Sequence, residues 1–281
     1  MANFVLRLDC LDRPGILHSV AAYLHRAGGN VVDSRQFQDP LTGQFLLRIE
    51  VEGKGLEFHR LRDGFVPLAE EYGMNWRFDD RSVRQRILVM VSRYSHCLTD
   101  LLARSEAKDL GADVVAVVSN HTNLAGITDF HGVPFHYVPV TPATKPRAEA
   151  RLLELIAELR VDLVVLARYM QILSNDLCMT LEGRAINIHH SFLPSFKGAR
   201  PYHQAYARGV KIIGATAHYV SPELDEGPII EQEVARVDHS RGPAELEAIG
   251  RDLERITLAR AVHWHVEHRV LLSGPRTVIF P

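Results

Sequence analysis

From residue 87 onward the chain carries near-continuous apolar runs of strand length: ILVMVS, ADVVAVVSN, HYVPV, VDLVVLA and RAINIHH. A strand with one wet face alternates apolar and polar residues, whereas these runs leave no polar face. Each strand therefore has to be covered on both sides, the situation of parallel strands flanked by helices. Helix-like segments at Leu98–Leu110 and Lys145–Leu159 separate several of them, so this region is expected to form an open, mostly parallel α/β sheet. Ligands in such sheets bind in the crevice at the carboxyl ends of the strands.

The first 80 residues follow another pattern. NFVLRLD alternates like a strand, and CLDRPGI turns into an amphipathic run from Ile16 to Ala27, with Pro14 suited to a first helical turn and Gly28 and Gly29 ending the helix. NVVDSRQFQD and GQFLLRIEVEG read as strands joined by a turn at Asp39–Gly43, and a helical pattern over Leu56–Tyr72 precedes the short strand MNWRF. The order βαββαβ is the ferredoxin-like arrangement. The expected division is residues 1–80 as a first domain, 81–86 as a linker within the charge-dense DDRSVRQR, and 87–281 as a second domain ending in a helix over Pro243–His268 and a strand TVIFP. DRPGI places a glycine and free backbone N–H groups at a helix N-terminus, which reads either as a carboxylate site or as a plain turn and cap.

Composition removes several functional classes. A formal net charge of −2 and a pI near 6.7 lack the basic excess of a nucleic-acid or anionic-membrane binder. Cys10, Cys97 and Cys178 are few and far apart, which suits neither a disulfide framework nor a cysteine zinc site. Charge at Arg7 and Asp9 interrupts any signal-like run, and no stretch approaches a membrane span. A cytoplasmic protein acting on a small molecule is expected. G-x-G-x-x-G, Walker and H-E-x-x-H motifs are missing, so dinucleotide and zinc-protease chemistry have no motif to rest on.

Polar chemistry concentrates at two strand ends. In INIHHSFLPSFKGARP, strand alternation sends Asn187 and His189 to one face, roughly 7 Å apart along the chain. In GATAHYVSPELDEGPIIEQ, Asp225 lies in an acidic loop between Ala215–Val220 and the apolar Ile229 and Ile230. An amide donor, an imidazole and a carboxylate could then converge, although hydrogen-bonded structural roles are the alternative for Asn187 and His189. His263, His265 and His268 in HWHVEHR do not make a metal site, because on a helix His263 faces away from the other two; they read as surface or interface residues.

Asn187-x-His189 followed by SFLPSFKG, with Asp225 in LDEGPII, resembles the signature of formyltetrahydrofolate-dependent formyltransferases, and the DRPGI region resembles an ACT regulatory domain. The two together, with HHSFLPSFKGARPYHQAY and GRDLERITLARAV, are similar to the formyltetrahydrofolate deformylase family over essentially the whole chain. The resemblance implies an N-terminal ACT domain of regulatory or dimerising role and a formyltransferase-like catalytic domain hydrolysing 10-formyltetrahydrofolate to formate and tetrahydrofolate. It implies that Asn187, His189 and Asp225 surround the formyl group. Arg168, Tyr169, Met170, Gln171, Ile172 and Leu173 would line the folate pocket, with Gly198 of the signature also at the substrate. It implies no metal or organic cofactor, the folate being the substrate.

SRYSHCLTD, the turn after the first strand of the large domain, has no glycine to cradle an acceptor's phosphate, which favours water as the acceptor. Asn120 and His121 at the next strand end either narrow the acceptor site or form a polar loop. Asp12, Arg13, Gly15 and Ile16 are the candidate effector site, for a small amino acid such as glycine or methionine, in a homo-oligomer of two or four chains. Two rivals remain: a formyltransferase with an amine acceptor, and an inactive amino-acid sensor.

Overall fold

The computed structural model describes residues 2–194 and 201–280. Two compact units emerge, Met1–Arg84 together with Glu267–Pro281, and Gln85–Val266. The first contains β1 (Ala2–Leu11), α1 (Ile16–Arg26), β2 (Asn30–Gln38), β3 (Gln44–Gly53), α2 (Phe58–Tyr72) and β4 (Asn75–Asp80). Its strands form an antiparallel sheet in the order β2-β3-β1-β4. Period-two alternation sends Phe4, Leu6 and Leu8 of β1 and Leu47, Ile49 and Val51 of β3 into one core, where Val20 and Leu24 of α1 and Leu61 and Phe65 of α2 meet them. Helix α1 starts at Ile16 with Gly15 as its N-cap, so Pro14 sits in the preceding turn and not in the first helical turn. Gly15 has a φ of 97°, a left-handed conformation that glycine adopts without steric penalty.

The second unit contains β5 (Gln85–Val91), α3 (His96–Glu106), β6 (Ala112–Ser119), α4 (Ala125–Phe130), β7 (Phe135–Tyr137), α5 (Lys145–Glu158), β8 (Leu163–Leu166), α6 (Asn175–Thr180), β9 (Ala185–His189), α7 (Pro201–Ala207), β10 (Ile212–Tyr219), β11 (Ile229–Arg236) and α8 (Pro243–Val266). The sheet order is β11-β10-β9-β8-β5-β6-β7. Pairing is parallel from β9 through β8, β5 and β6 to β7, and antiparallel from β9 to β10 and from β10 to β11. The chain runs one way from β5 to β6 and β7, then returns to β8 on the other side of β5. The carboxyl ends of β5 and β8 therefore flank a topological switch point, where a crevice forms.

Two boundaries differ from the sequence reading. Gln85 and Arg86 are not linker, because they pair with Ala112 and Asp113 as the start of β5. The last residues, 267–281, do not extend the second unit. They form a hairpin, β12 (Val270–Ser273) and β13 (Arg276–Ile279), in the first unit. Leu271 and Phe280 cover Leu46, which points to the sheet face opposite the helices, and buried Arg48 donates to the carbonyls of Glu267 and His268 at 3.2 and 3.1 Å. His268 lies beyond α8 and is buried with Nδ1 3.5 Å from Asp79, so it is neither a helical nor a surface residue.

Truncating Phe280 to Ala should lower stability in chemical denaturation by about 3 kcal/mol, the usual cost of emptying a buried phenyl site. An unchanged midpoint would mean that the hairpin contributes nothing to the first unit.

Candidate active site

Strand register builds the site. β10 lies antiparallel to β9 with His218 opposite Asn187. The Nδ1–H of His218 donates to the carbonyl of Tyr219 at 2.8 Å, a tautomer assigned from the bonding pattern, which leaves Nε2 to accept from the Asn187 amide at 3.2 Å. Burial lowers the pKa of His218, keeping the ring neutral and able to accept. Asn187 is thereby fixed with a second N–H remaining for a ligand.

His189, on the same face of β9, has Nδ1 3.2 Å from Asp225 Oδ1, with both side chains nearly buried. Burial pushes the Asp225 carboxyl upward, but the His189 bond and the neighbouring imidazoles outweigh it and hold it below the ordinary carboxylate range. The other ring nitrogen, His189 Nε2, is buried without a hydrogen-bond partner among the described residues. His190 stacks on His189 with ring centroids 5.1 Å apart, and burial, then Arg168, pushes its pKa down to about 3.

Asp225 reaches this position through an unusual loop. Its φ is 59°, left-handed for a residue with a side chain. The Tyr219 N–H donates to the Pro228 carbonyl at 2.9 Å, and a Cβ added at Gly227 would be driven into the Tyr219 carbonyl oxygen. Glycine at 227 allows the loop to return tightly against β10.

These groups line one side of a cavity of about 240 Å³, whose remaining walls come from the segment 168–173 and the loop 220–225. The first of these is braced from below. The Met170 N–H donates to Ser92 Oγ at 3.0 Å, and that hydroxyl donates to Asn120 Oδ1 at 2.7 Å. Asn120 thus supports segment 168–173 and lines neither this cavity nor the second one described below; His121 accepts from Arg93 Nε at 3.3 Å and lines neither as well. Tyr169 sits in the hydrophobic cluster with Leu152 and Leu166, and burial raises its hydroxyl pKa to about 12. Met170 and Ile172 are exposed, while Gln171 and Leu173 are half-buried. Gly198 lies outside the described residues.

Arg168 departs from the others. At φ 64° its side chain turns inward, with the guanidinium over the Tyr94 ring at 4.9 Å and Nη1 3.2 Å from Glu254 Oε1. Glu254, on α8 and 1% exposed, also accepts from Tyr202 Oη at 2.7 Å and from His96 Nε2 at 2.8 Å. Burial opposes its ionisation, but these partners hold its pKa below the usual value. His96, Cys97 and Glu254 bring ligand atoms within 4.8 Å of one another. Burial and Glu254 push the Cys97 thiol far up, so it stays protonated and ligates poorly. A second cavity of about 470 Å³ lies beyond this network and shares Arg168, Met170 and His190 with the first.

In the first unit, Asp12, Arg13 and Gly15 are exposed and Ile16 is buried. The Arg13 guanidinium donates to the Glu71 carbonyl and lies 4.0 Å from the centre of the Tyr72 ring, so its charge is already engaged at the end of α2. Motif reasoning passed over His218, His190, His96, Tyr202 and Glu254. Of these, His190 stands beside His189 in INIHH, and His218 shares a strand face with Thr216 in GATAHYV.

The formyl transferase family model matches residues 85–262, and the ACT domain model matches residues 4–57. The chain is 50% identical to the formyltetrahydrofolate deformylase of Corynebacterium sp. (strain P-1) over 98% of its own length and 97% of the relative's. A crystal structure of formyltetrahydrofolate deformylase from Burkholderia mallei ATCC 23344 superposes with a TM-score of 0.95 at 49% identity, covering 100% of both chains. One from Pseudomonas syringae pv. tomato str. DC3000 gives 0.97 at 44% identity, covering 100% of this chain and 95% of that one.

Imidazole nitrogen shifts should report His190 as neutral at pH 5, where an exposed histidine is largely protonated, and His218 as titrating below an exposed histidine. For His190 the folded pKa, about 3, lies below the ordinary 6.5, so the unfolded chain binds more protons between those values. Its contribution is fully present above about pH 6.5 and declines as pH falls toward 3. His190→Asn should therefore flatten the fall in denaturation midpoint between about pH 7 and 4, and a variant with the same slope as the parent would refute this.

Proposed function

We propose, for a chain that belongs to the formyltetrahydrofolate deformylase family, that Asn187, His189 and Asp225 are the groups that act on the formyl carbon. The reaction is hydrolysis of 10-formyltetrahydrofolate to formate and tetrahydrofolate. The observation that carries the residue assignment is the pairing of His189 with Asp225 beside an Asn187 amide held by His218, all at one wall of the same cavity.

Water adds to the formyl carbon, and the carbonyl electron pair moves onto oxygen. The free N–H of Asn187 donates to that oxyanion, as a donor aimed at charge that exists only after attack. Ionised Asp225 orients the water, and the His189–Asp225 pair takes up its proton. The intermediate collapses by breaking the bond to N10, which receives a proton from the same pair, and formate departs as the anion with a proton released to solvent. His190 and His218 contribute as neutral rings that add no competing charge. The folate lies along the segment 168–173, with the exposed Met170 and Ile172 as apolar contacts and backbone groups for the pterin. Gly198 completes the signature at the substrate, and Asn120 supports the segment from beneath. The chemistry uses only these protein groups, without a metal or organic cofactor.

The ACT domain binds a small amino acid at Asp12–Ile16 through backbone N–H groups at the start of α1, between two copies of a dimer or tetramer. Glycine or methionine, which report one-carbon demand, are the candidates. The enzyme works in the cytoplasm; its three cysteines are buried and free, and no helix among the described residues is long and apolar enough to cross a membrane.

Purified protein supplied with 10-formyltetrahydrofolate and no amine should release formate, and Asn187→Ala and Asp225→Asn should each lower kcat by about 100-fold or more. Full turnover in Asp225→Asn would remove that residue from the mechanism. Gly227→Ala, which drives a Cβ into the Tyr219 carbonyl and displaces the loop carrying Asp225, should cost about 100-fold in kcat and lower the denaturation midpoint as well. Calorimetric titration should detect glycine or methionine, and binding of neither would remove both candidates.

A further inference from the structure

The first cavity leaves a difficulty for the product. Formate forms at the Asn187–His189 wall, while tetrahydrofolate occupies the space along the segment 168–173, so an exit through that cavity would have to wait for the larger product. A second cavity of about 470 Å³ adjoins the first, and three residues, Arg168, Met170 and His190, line both.

Arg168 is the group between them that selects for charge. Its side chain is 9% exposed, and although Nη1 stands 3.2 Å from Glu254 Oε1, that contact lacks hydrogen-bond alignment. Neither Nη1 nor Nε has a hydrogen-bond partner among the described residues. A buried guanidinium with unfilled donors is costly, and a carboxylate fills them with short, charge-assisted bonds. Glu254 offsets the cation without saturating it, being shared with Tyr202 and His96. On the far side of the cavity Arg251 extends the cationic lining, tempered by Glu247 at 3.4 Å. Met170 is half exposed and unbranched, a side chain that can move aside with little loss of packing.

We infer that the second cavity is a binding site and passage for a small carboxylate, and that formate leaves through it past Arg168 while tetrahydrofolate still fills the first cavity. The inference rests on the assignment of Asn187, His189 and Asp225 as the centre where formate is made. It adds no covalent step, since water enters and formate leaves by the same route.

The test is titration of ¹³C-formate into the full-length protein, followed by NMR line broadening, with and without saturating tetrahydrofolate. Formate should bind in both cases, and Arg168→Gln should weaken it by about tenfold or more, as expected for loss of a charge-assisted bond. Because that variant strands Glu254 without its cation, the double variant Arg168→Met/Glu254→Gln, which removes both charges, is measured alongside and should show the same loss. Displacement of formate by tetrahydrofolate would overturn the inference, as would wild-type formate affinity in the double variant. Asn187→Ala separates the two readings: it should lose turnover and keep formate binding. Retained turnover there would reject the catalytic assignment, while the formate titration would still judge the passage.

Discussion

The antiparallel register between β9 and β10 is the constraint on which the site depends. It sets His218 opposite Asn187, and the hydrogen bond from His218 to the Tyr219 carbonyl then decides which ring nitrogen faces the amide. A one-residue slip would send Asn187 and His189 to the opposite face of the sheet, because strand side chains alternate with a period of two. The loop from β10 to β11, closing tightly at Gly227, returns Asp225 to the end of β9. The β9–β10 pairing and the β10–β11 loop together bring the amide donor, the imidazole and the carboxylate to one place, with the parallel strands of the sheet beyond β9.

Burial then distributes charge. Three imidazoles lie close together at 189, 190 and 218, and a low-dielectric setting disfavours a cationic ring at 190 and 218. Asp225 remains ionised because His189 donates to it. Glu254 plays the corresponding part for Arg168, whose Nη1 stands 3.2 Å away, while accepting from Tyr202 and His96. The centre therefore holds two anions, each matched to its own donors, and a neutral ring stacked between them.

The first unit solves a different problem. Its sheet has helices on one face only, and the other face would expose Leu46 without the hairpin contributed by residues 270–280. Sequence order concealed this, since those residues follow the long helix of the second unit. A chain that leaves one unit and returns to it ties the two together covalently at both ends of Gln85–Val266.

The sequence by itself determined the sheet types and marked the residues proposed to act on the formyl carbon. Unbroken apolar runs such as ILVMVS can only be strands covered on both faces, and Asn187, His189 and Asp225 sit at strand ends within a recognisable pattern. The family resemblance pointed to segment 168–173 as a wall, and its place directly after VDLVVLA agreed with that. Only the tertiary structure decided what each side chain touches. Asn120, open between an acceptor-site role and a polar loop, accepts from Ser92, Arg168 turns away from its neighbours toward Glu254, and His268 lies beyond its helix beside Asp79. Glu254 carried no signal at all, since a charged residue in a helical pattern reads as solvated until packing shows it buried. Periodicity is a local property of the chain and survives in the sequence, whereas partners are chosen across long separations by strand register and loop closure.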